Sequence, residues 1–145
     1  MPPALIKYAT EYDYRLHYQR FYCDSRVTTF DGLRVYFPRG GFDHAFYESA
    51  HRRQADKSIF SRERAERIDW IAAALQEGVA ELYEGWDNRQ KISRPDRRVA
   101  IVYDDYVVII QLQLNRGSAM FITAFVATEE ALAKIKSSPK WVQKK

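Results

Sequence analysis

The chain has 145 residues, enough for one domain with a single core, and Lys plus Arg exceed Asp plus Glu by 23 to 19 for a net charge of +4. That mild basicity is compatible with a polyanionic partner without singling one out. The lone Cys23 excludes an internal disulfide and a cysteine-based zinc site, no apolar run reaches the roughly 18 residues that span a bilayer, and the N-terminus lacks the basic-then-apolar signature of a signal peptide. A soluble, cytoplasmic protein with no membrane contact and a half-buried thiol is expected.

Residues 4–22 read as a helix after Pro2 and Pro3, with Leu5, Tyr8, Tyr12 and Leu16 at helical spacing as its apolar stripe. From Arg26 to Phe37 the β-branched and aromatic runs on either side of Asp31-Gly32 read as a hairpin. Pro38-Arg39-Gly40-Gly41 breaks the chain before a short helix beginning near Phe42, on which His44, Tyr47, Glu48 and His51 would share one face. After a polar connection at 54–58, Ser61 is a natural N-cap for one long helix over Arg62–Glu77, with Gly78 just past its end. Its apolar stripe is Ala65, Ile68, Ala72, Leu75 and Val79; Arg64 falls within the stripe, and Trp70 falls outside it and needs cover from elsewhere.

A short strand around 79–83 and a basic loop over 85–95 follow, and β signals then dominate. Arg98–Tyr103, Tyr106–Leu114 and Ser118–Val126 form an antiparallel meander turned at Asp104-Asp105 and Asn115-Arg116-Gly117. Simple alternation puts Phe121, Thr123 and Phe125 on one face of the last strand. Thr128 caps a final short helix over Glu129–Lys136, ahead of a basic tail. The fold class is α+β, a single domain over 1–145 with helices packed on one face of the meander.

Candidate chemistry concentrates between His44 and Trp70. Imidazole is the side chain best suited to moving a proton near neutral pH, so His44 and His51 are acid/base candidates. Lys57, Arg62, Arg64 and Arg67 lie at the start of the long helix; Arg64, inside an apolar stripe, calls for an anion or a buried carboxylate. Arg89, Lys91, Arg94, Arg97 and Arg98 form a second basic cluster suited to tracking a phosphate backbone. A hydroxyl at Thr123 between Phe121 and Phe125 fits a phosphate contact with base-stacking neighbours. A solvated helix face and an ordinary strand pattern account for the same residues without function. No Walker loop, dinucleotide fingerprint, nucleophile elbow or HExxH is present.

The segments HAFYES (44–49), Lys57, Phe60, RERAERIDWI (62–71), ELYEGWD (81–87), FITAF (121–125) and KIKSSPKW (134–141) resemble, in this order, the phage and toxin branch of the barnase/EndoU/colicin/RelE-like nuclease superfamily. The resemblance covers roughly Phe42 to Trp141 and leaves 1–41 as an N-terminal extension. It implies a helical N-terminal half on a four-stranded antiparallel sheet and cleavage of RNA without metal or cofactor. The ribose 2′-OH then attacks and leaves a 2′,3′-cyclic phosphate. By that resemblance His44 is the general acid/base, Lys57 and Arg64 hold the phosphate, Thr123 hydrogen-bonds phosphate or ribose, and His51 makes the other proton transfer. Lys91, Arg94, Arg98, Phe121 and Phe125 would contact the RNA. A neutralising antitoxin or immunity protein is the implied partner. Phe125 stands where the family pattern suggests a tyrosine, which leaves no phenol there. The alternative is a non-catalytic RNA- or protein-binding module on the same fold.

Overall fold

The computed structural model describes residues 2–48, 59–78, 80–87, 92–113, 117–137 and 140. His51, Lys57, Lys91 and the 54–58 connection lie outside these residues, and Arg94 is described only as strand backbone.

The N-terminal helix starts later than its periodicity predicts. The Thr10 hydroxyl accepts from the Asp13 amide and caps α1, Glu11–Tyr18, which continues into a π-helical turn over Gln19–Cys23. Residues 2–8 are non-helical because their backbone groups are engaged in tertiary bonds. The Ile6 amide donates to Glu66 O at 2.8 Å, Trp70 Nε1 donates to Pro3 O at 2.8 Å and the Tyr14 hydroxyl donates to Ile6 O at 2.8 Å. Arg62 Nη1 fastens the same strap by donating to Tyr8 O at 2.7 Å. Of the expected stripe only Tyr8 packs against the core; Leu5, Tyr12 (64% accessible) and Leu16 (44%) are exposed, whereas Tyr14, Tyr18 and Tyr22 point inward.

Two short strands, β1 (Val27–Thr28) and β2 (Arg34–Tyr36), form the expected hairpin, with Gly32 at φ +94° in its turn. Helix α2 covers Gly41–Phe46, and β3 (Tyr47–Glu48) pairs with β4 (Ile59–Phe60). Ser61 caps as expected, but the long helix is two: α3, Arg62–Ala65, and α4, Ile68–Gln76. The break falls where the strap's Ile6 amide takes the Glu66 carbonyl that the helical ladder would use. Trp70 finds its cover in this strap and in Tyr103 and Tyr106, whose rings meet it edge-on.

The sheet has six strands rather than four. Its order is β1-β2-β8-β7-β6-β5, with β5 at Glu81–Asp87, β6 at Ile92–Tyr103, β7 at Tyr106–Gln113 and β8 at Ser118–Val126. The meander is antiparallel throughout, and the hairpin joins it through a parallel β2–β8 pairing, so the sheet is mixed. Most of the expected basic loop at 85–95 is strand. The β5–β6 ladder breaks between Glu84 (opposite Val99) and Gly85 (opposite Arg94), skipping the segment that contains Pro95. Proline has no N–H for the ladder and is accommodated at such a break.

Side chains alternate between two faces. Val99, Ile101, Val108, Ile110, Ala119 and Phe121 meet the helices α1–α4 in the main core. Ala100, Val102, Val107, Ile109 and Phe125 form a smaller cluster on the other face with Leu132 and Ile135 of α5, Glu129–Lys136, which Thr128 caps as expected. Helices therefore cover both faces, not one. Cys23 is half-buried, as expected.

One buried polar group in the core passes unmarked in the sequence. His17 is 9% exposed, with Nε2 at 2.8 Å from Asp69 Oδ1 and Nδ1 at 2.8 Å from the Tyr8 hydroxyl. An imidazole with its hydrogen on Nε2 donates to Asp69 and accepts from Tyr8, so strap, α1 and α4 are tied through one ring. His17→Ala, which strands both partners and opens a hole, is expected to cost about 2–4 kcal/mol by urea unfolding, and Tyr8→Phe about 1.

Burial pushes the Tyr18, Tyr22 and Tyr106 hydroxyls well above the usual phenol range; burial and donation to Glu77 push Tyr103 up to about 12. Unfolded tyrosine loses its proton near pH 10. These groups hold theirs longer when folded, so their contribution is complete below about pH 10 and is lost as pH rises toward 12. Alkaline titration should therefore show phenolate absorbance at 295 nm rising together with loss of far-UV dichroism. Smooth ionisation of these four tyrosines in a still-folded protein is the opposing outcome.

Candidate functional site

Helix α2 is short, and its apolar residues decide where it sits. Phe42, Ala45 and Phe46 are fully buried, so Asp43 and His44 face outward. Its close approach to the core depends on Gly41: a Cβ there would stand 2.5 Å from Tyr18 Oη and 3.3 Å from Phe121 Cδ2. Tyr18 in turn donates to Pro38 O at 2.7 Å, fixing the turn that leads into the helix.

His44 is exposed, and its backbone is held from the sheet: the Thr123 hydroxyl donates to His44 O at 3.0 Å. Arg64 is half-buried and reaches the same end of α2, with Nη1 at 3.4 Å from Tyr47 O. Three expected site residues, from α2, α3 and β8, thus come together around the α2–β3 junction. Asp43 is bridged to α1 by Arg15, whose Nη2 lies 2.9 Å from Asp43 Oδ1 and 2.8 Å from Glu11 Oε1. The Arg15 guanidinium also lies over the Phe42 ring at 4.4 Å. The Tyr47 hydroxyl is raised above its ordinary value by burial and by its hydrogen bond to Glu11.

Several expectations change. His44, Tyr47 and Glu48 do not share a helix face, because the helix ends at Phe46 and Tyr47–Glu48 are strand; the expected fourth member, His51, lies outside the described residues. Arg62 and Arg67 are engaged structurally: Arg62 pins the N-terminal strap, and Arg67 donates to Glu63 O at 2.8 Å with its guanidinium 5.2 Å from the Trp70 ring centre.

The alternation of β8 is broken. Ile109 faces Thr123 while the next residue, Ile110, faces Phe121, so Ile122 is an extra residue and the two aromatics part company. Phe121 is 1% exposed and stacked on Phe37 at 4.9 Å, which removes it as a base-stacking ring. Phe125 packs in the smaller cluster with α5. Arg98 is exposed on β6, opposite Gln111.

Among the described residues there is no group of three or more His, Cys, Asp or Glu side chains placed to hold a metal ion, and no helix long and apolar enough to cross a membrane. Sequence reasoning missed Arg34 and Tyr36, which line a cleft of about 500 Å³ beside β2 and β8 together with Cys23, Ser25, Gln113 and Ser118. The one available signal was the alternation Arg34-Val35-Tyr36 in a strand whose valine points inward. No family model, no curated protein and no solved structure matches the chain.

Proposed function

We propose that the protein is an endoribonuclease cleaving RNA by attack of the ribose 2′-OH, with His44 moving the proton and Arg64 facing the phosphate. The observation that carries the reading is the bond from Thr123 to the His44 carbonyl across 79 residues of sequence, at the junction that Arg64 also reaches. An exposed imidazole, a held backbone and a guanidinium at one place answer the needs of this chemistry. A base takes the 2′-OH proton as the 2′-oxygen–phosphorus bond forms. A cation faces the crowded phosphorane, and an acid protonates the 5′-oxygen as its bond to phosphorus breaks. Thr123 spends its proton on the carbonyl, so in this reading it is a positioning residue for His44. The resemblance to the barnase/EndoU/colicin/RelE-like branch points the same way. It adds Lys57 and His51 as further participants and a neutralising protein partner seated over His44.

The test is incubation of the protein with mixed cellular RNA in EDTA, followed by end-group analysis. Expected products carry 2′,3′-cyclic phosphate and 5′-hydroxyl ends. Intact RNA across a broad panel, with a folded protein, would leave the second reading: a binding module that holds RNA without cutting it.

A further inference from the structure

The register of the sheet assembles a polar surface that no single segment announces. On the face that α5 shares, the rows nearest α5 are apolar: Val102–Val107–Phe125, then Ala100–Ile109–Thr123. The next row crosses four strands as Arg98, Gln111, Met120 and Tyr36, and the one beyond as Gln113, Ser118, Arg34 and Thr28. Two arginines, two glutamines, Ser118, Thr28, Tyr36 and the thioether of Met120 occupy these rows and no carboxylate does; Ser118 is buried, its hydroxyl donating to Gln113 Oε1. Thr123, the residue bonded to His44, stands at their border.

Arg34 and Tyr36 are the distinctive pair. The Arg34 guanidinium lies 4.6 Å from the Tyr36 ring centre, and its Nε is buried with no hydrogen-bond partner among the described residues. Tyr36 is 47% exposed, large for an aromatic ring on a sheet. The cleft of about 500 Å³ opens beside them. A guanidinium that has no carboxylate partner among the described residues and borders an open cleft suits an oxyanion at its outer nitrogens, and a half-exposed ring beside it suits a flat partner. A nucleotide supplies both.

We propose that these two rows are the track of a single-stranded RNA, with one phosphate on Arg34 and one base stacked at Tyr36. Three inter-strand steps separate Arg98 from Tyr36, about 14 Å at the usual spacing, which exceeds one nucleotide and favours a strand over a free mononucleotide. Stacking requires an unpaired base, which selects single-stranded RNA over a duplex. The inference rests on the RNA reading of the His44 site and adds a binding face to it: the rows lie on the opposite side of the sheet from α2 and α3, and beyond Met120, where β2 no longer pairs with β8, the RNA strand passes round the edge of β8 at Thr123 to reach His44.

The test uses the full chain and a fluorescein-labelled 2′-O-methyl RNA 12-mer, which lacks the attacking hydroxyl, with binding followed by anisotropy across salt concentrations. Arg34→Ala is expected to raise Kd about tenfold and to flatten the salt dependence by roughly 0.7 in log–log slope, the loss of one phosphate contact. Tyr36→Ala, at an exposed position, is expected to raise Kd about tenfold, whereas Tyr36→Phe, which keeps the ring, stays within twofold of wild type. A nucleoside monophosphate at the same concentration as an unlabelled competing 12-mer should displace far less of the labelled strand; displacement equal to that by the 12-mer overturns the strand in favour of a mononucleotide site. Kd values unchanged in both alanine variants, or no binding by folded wild type, overturn the inference. The cleavage assay separates the two readings. Binding through this face without cleavage removes the nuclease and keeps the track. Cleavage with KM untouched by both alanine variants removes the track and keeps the nuclease.

Discussion

His44→Ala is expected to lower the rate of RNA cleavage by about 10²–10⁴, the usual contribution of a positioned general acid or base, while leaving the thermal midpoint close to wild type. The imidazole is exposed, so no packing is lost, and alanine is the better helix former. What anchors α2 is Phe42, Ala45 and Phe46, all fully buried and untouched by the change. Thr123 provides the companion experiment. Thr123→Val removes the donor to His44 O and keeps the volume, so it should lower kcat about tenfold with KM little changed. Thr123→Ser, which restores the donor, should recover most of the loss. Initial rates on one defined RNA and a melt of each variant decide it. A His44→Ala protein cutting at the wild-type rate would remove His44 from the chemistry.

What was legible in the sequence was whatever local chemistry determines. Ser61 and Thr128 cap where a short hydroxyl precedes a helical run, and each accepts from the amide three residues on. The Asp104-Asp105 turn, with Asp104 at φ +58°, and the three meander strands follow from β-branched runs between turn residues. What was illegible depends on partners distant in the chain. Residues 4–10 have helical periodicity, yet Glu66 takes the Ile6 amide and Arg62 the carbonyls of Tyr8 and Ala9. The parallel β2–β8 pairing joins segments some eighty residues apart, and no local pattern signals it. The extra residue at Ile122 shifts Phe121 to the opposite face from Thr123, a one-residue event that alternation cannot foresee. For the site, the same division holds. His44 and Arg64 stand out by residue type within their segments, whereas Arg34, Tyr36 and Arg98 become neighbours on one face only through the register of the complete sheet.

Phe121→Ala is expected to cost about 3–5 kcal/mol in urea unfolding, the range for a large aromatic deleted from a packed core. The ring is 1% exposed, stacked on Phe37 at 4.9 Å and 6.1 Å from Tyr18. Gly41 approaches it so closely that an added methyl would contact it. The hole would open directly beneath α2, the helix that carries His44, and against a total of roughly 5–15 kcal/mol for a domain the loss is severe. Phe121→Leu retains most of the volume and should cost about 1.5 kcal/mol or less. The pair also settles what the ring is for. A base-stacking Phe121 would lose RNA affinity on truncation with stability intact. A core Phe121 loses stability first, and the leucine variant, without an aromatic ring, binds the 2′-O-methyl RNA as wild type does. The second outcome follows from the geometry, because the face that Phe121 occupies is filled by α1 and α2 and has no room for a base.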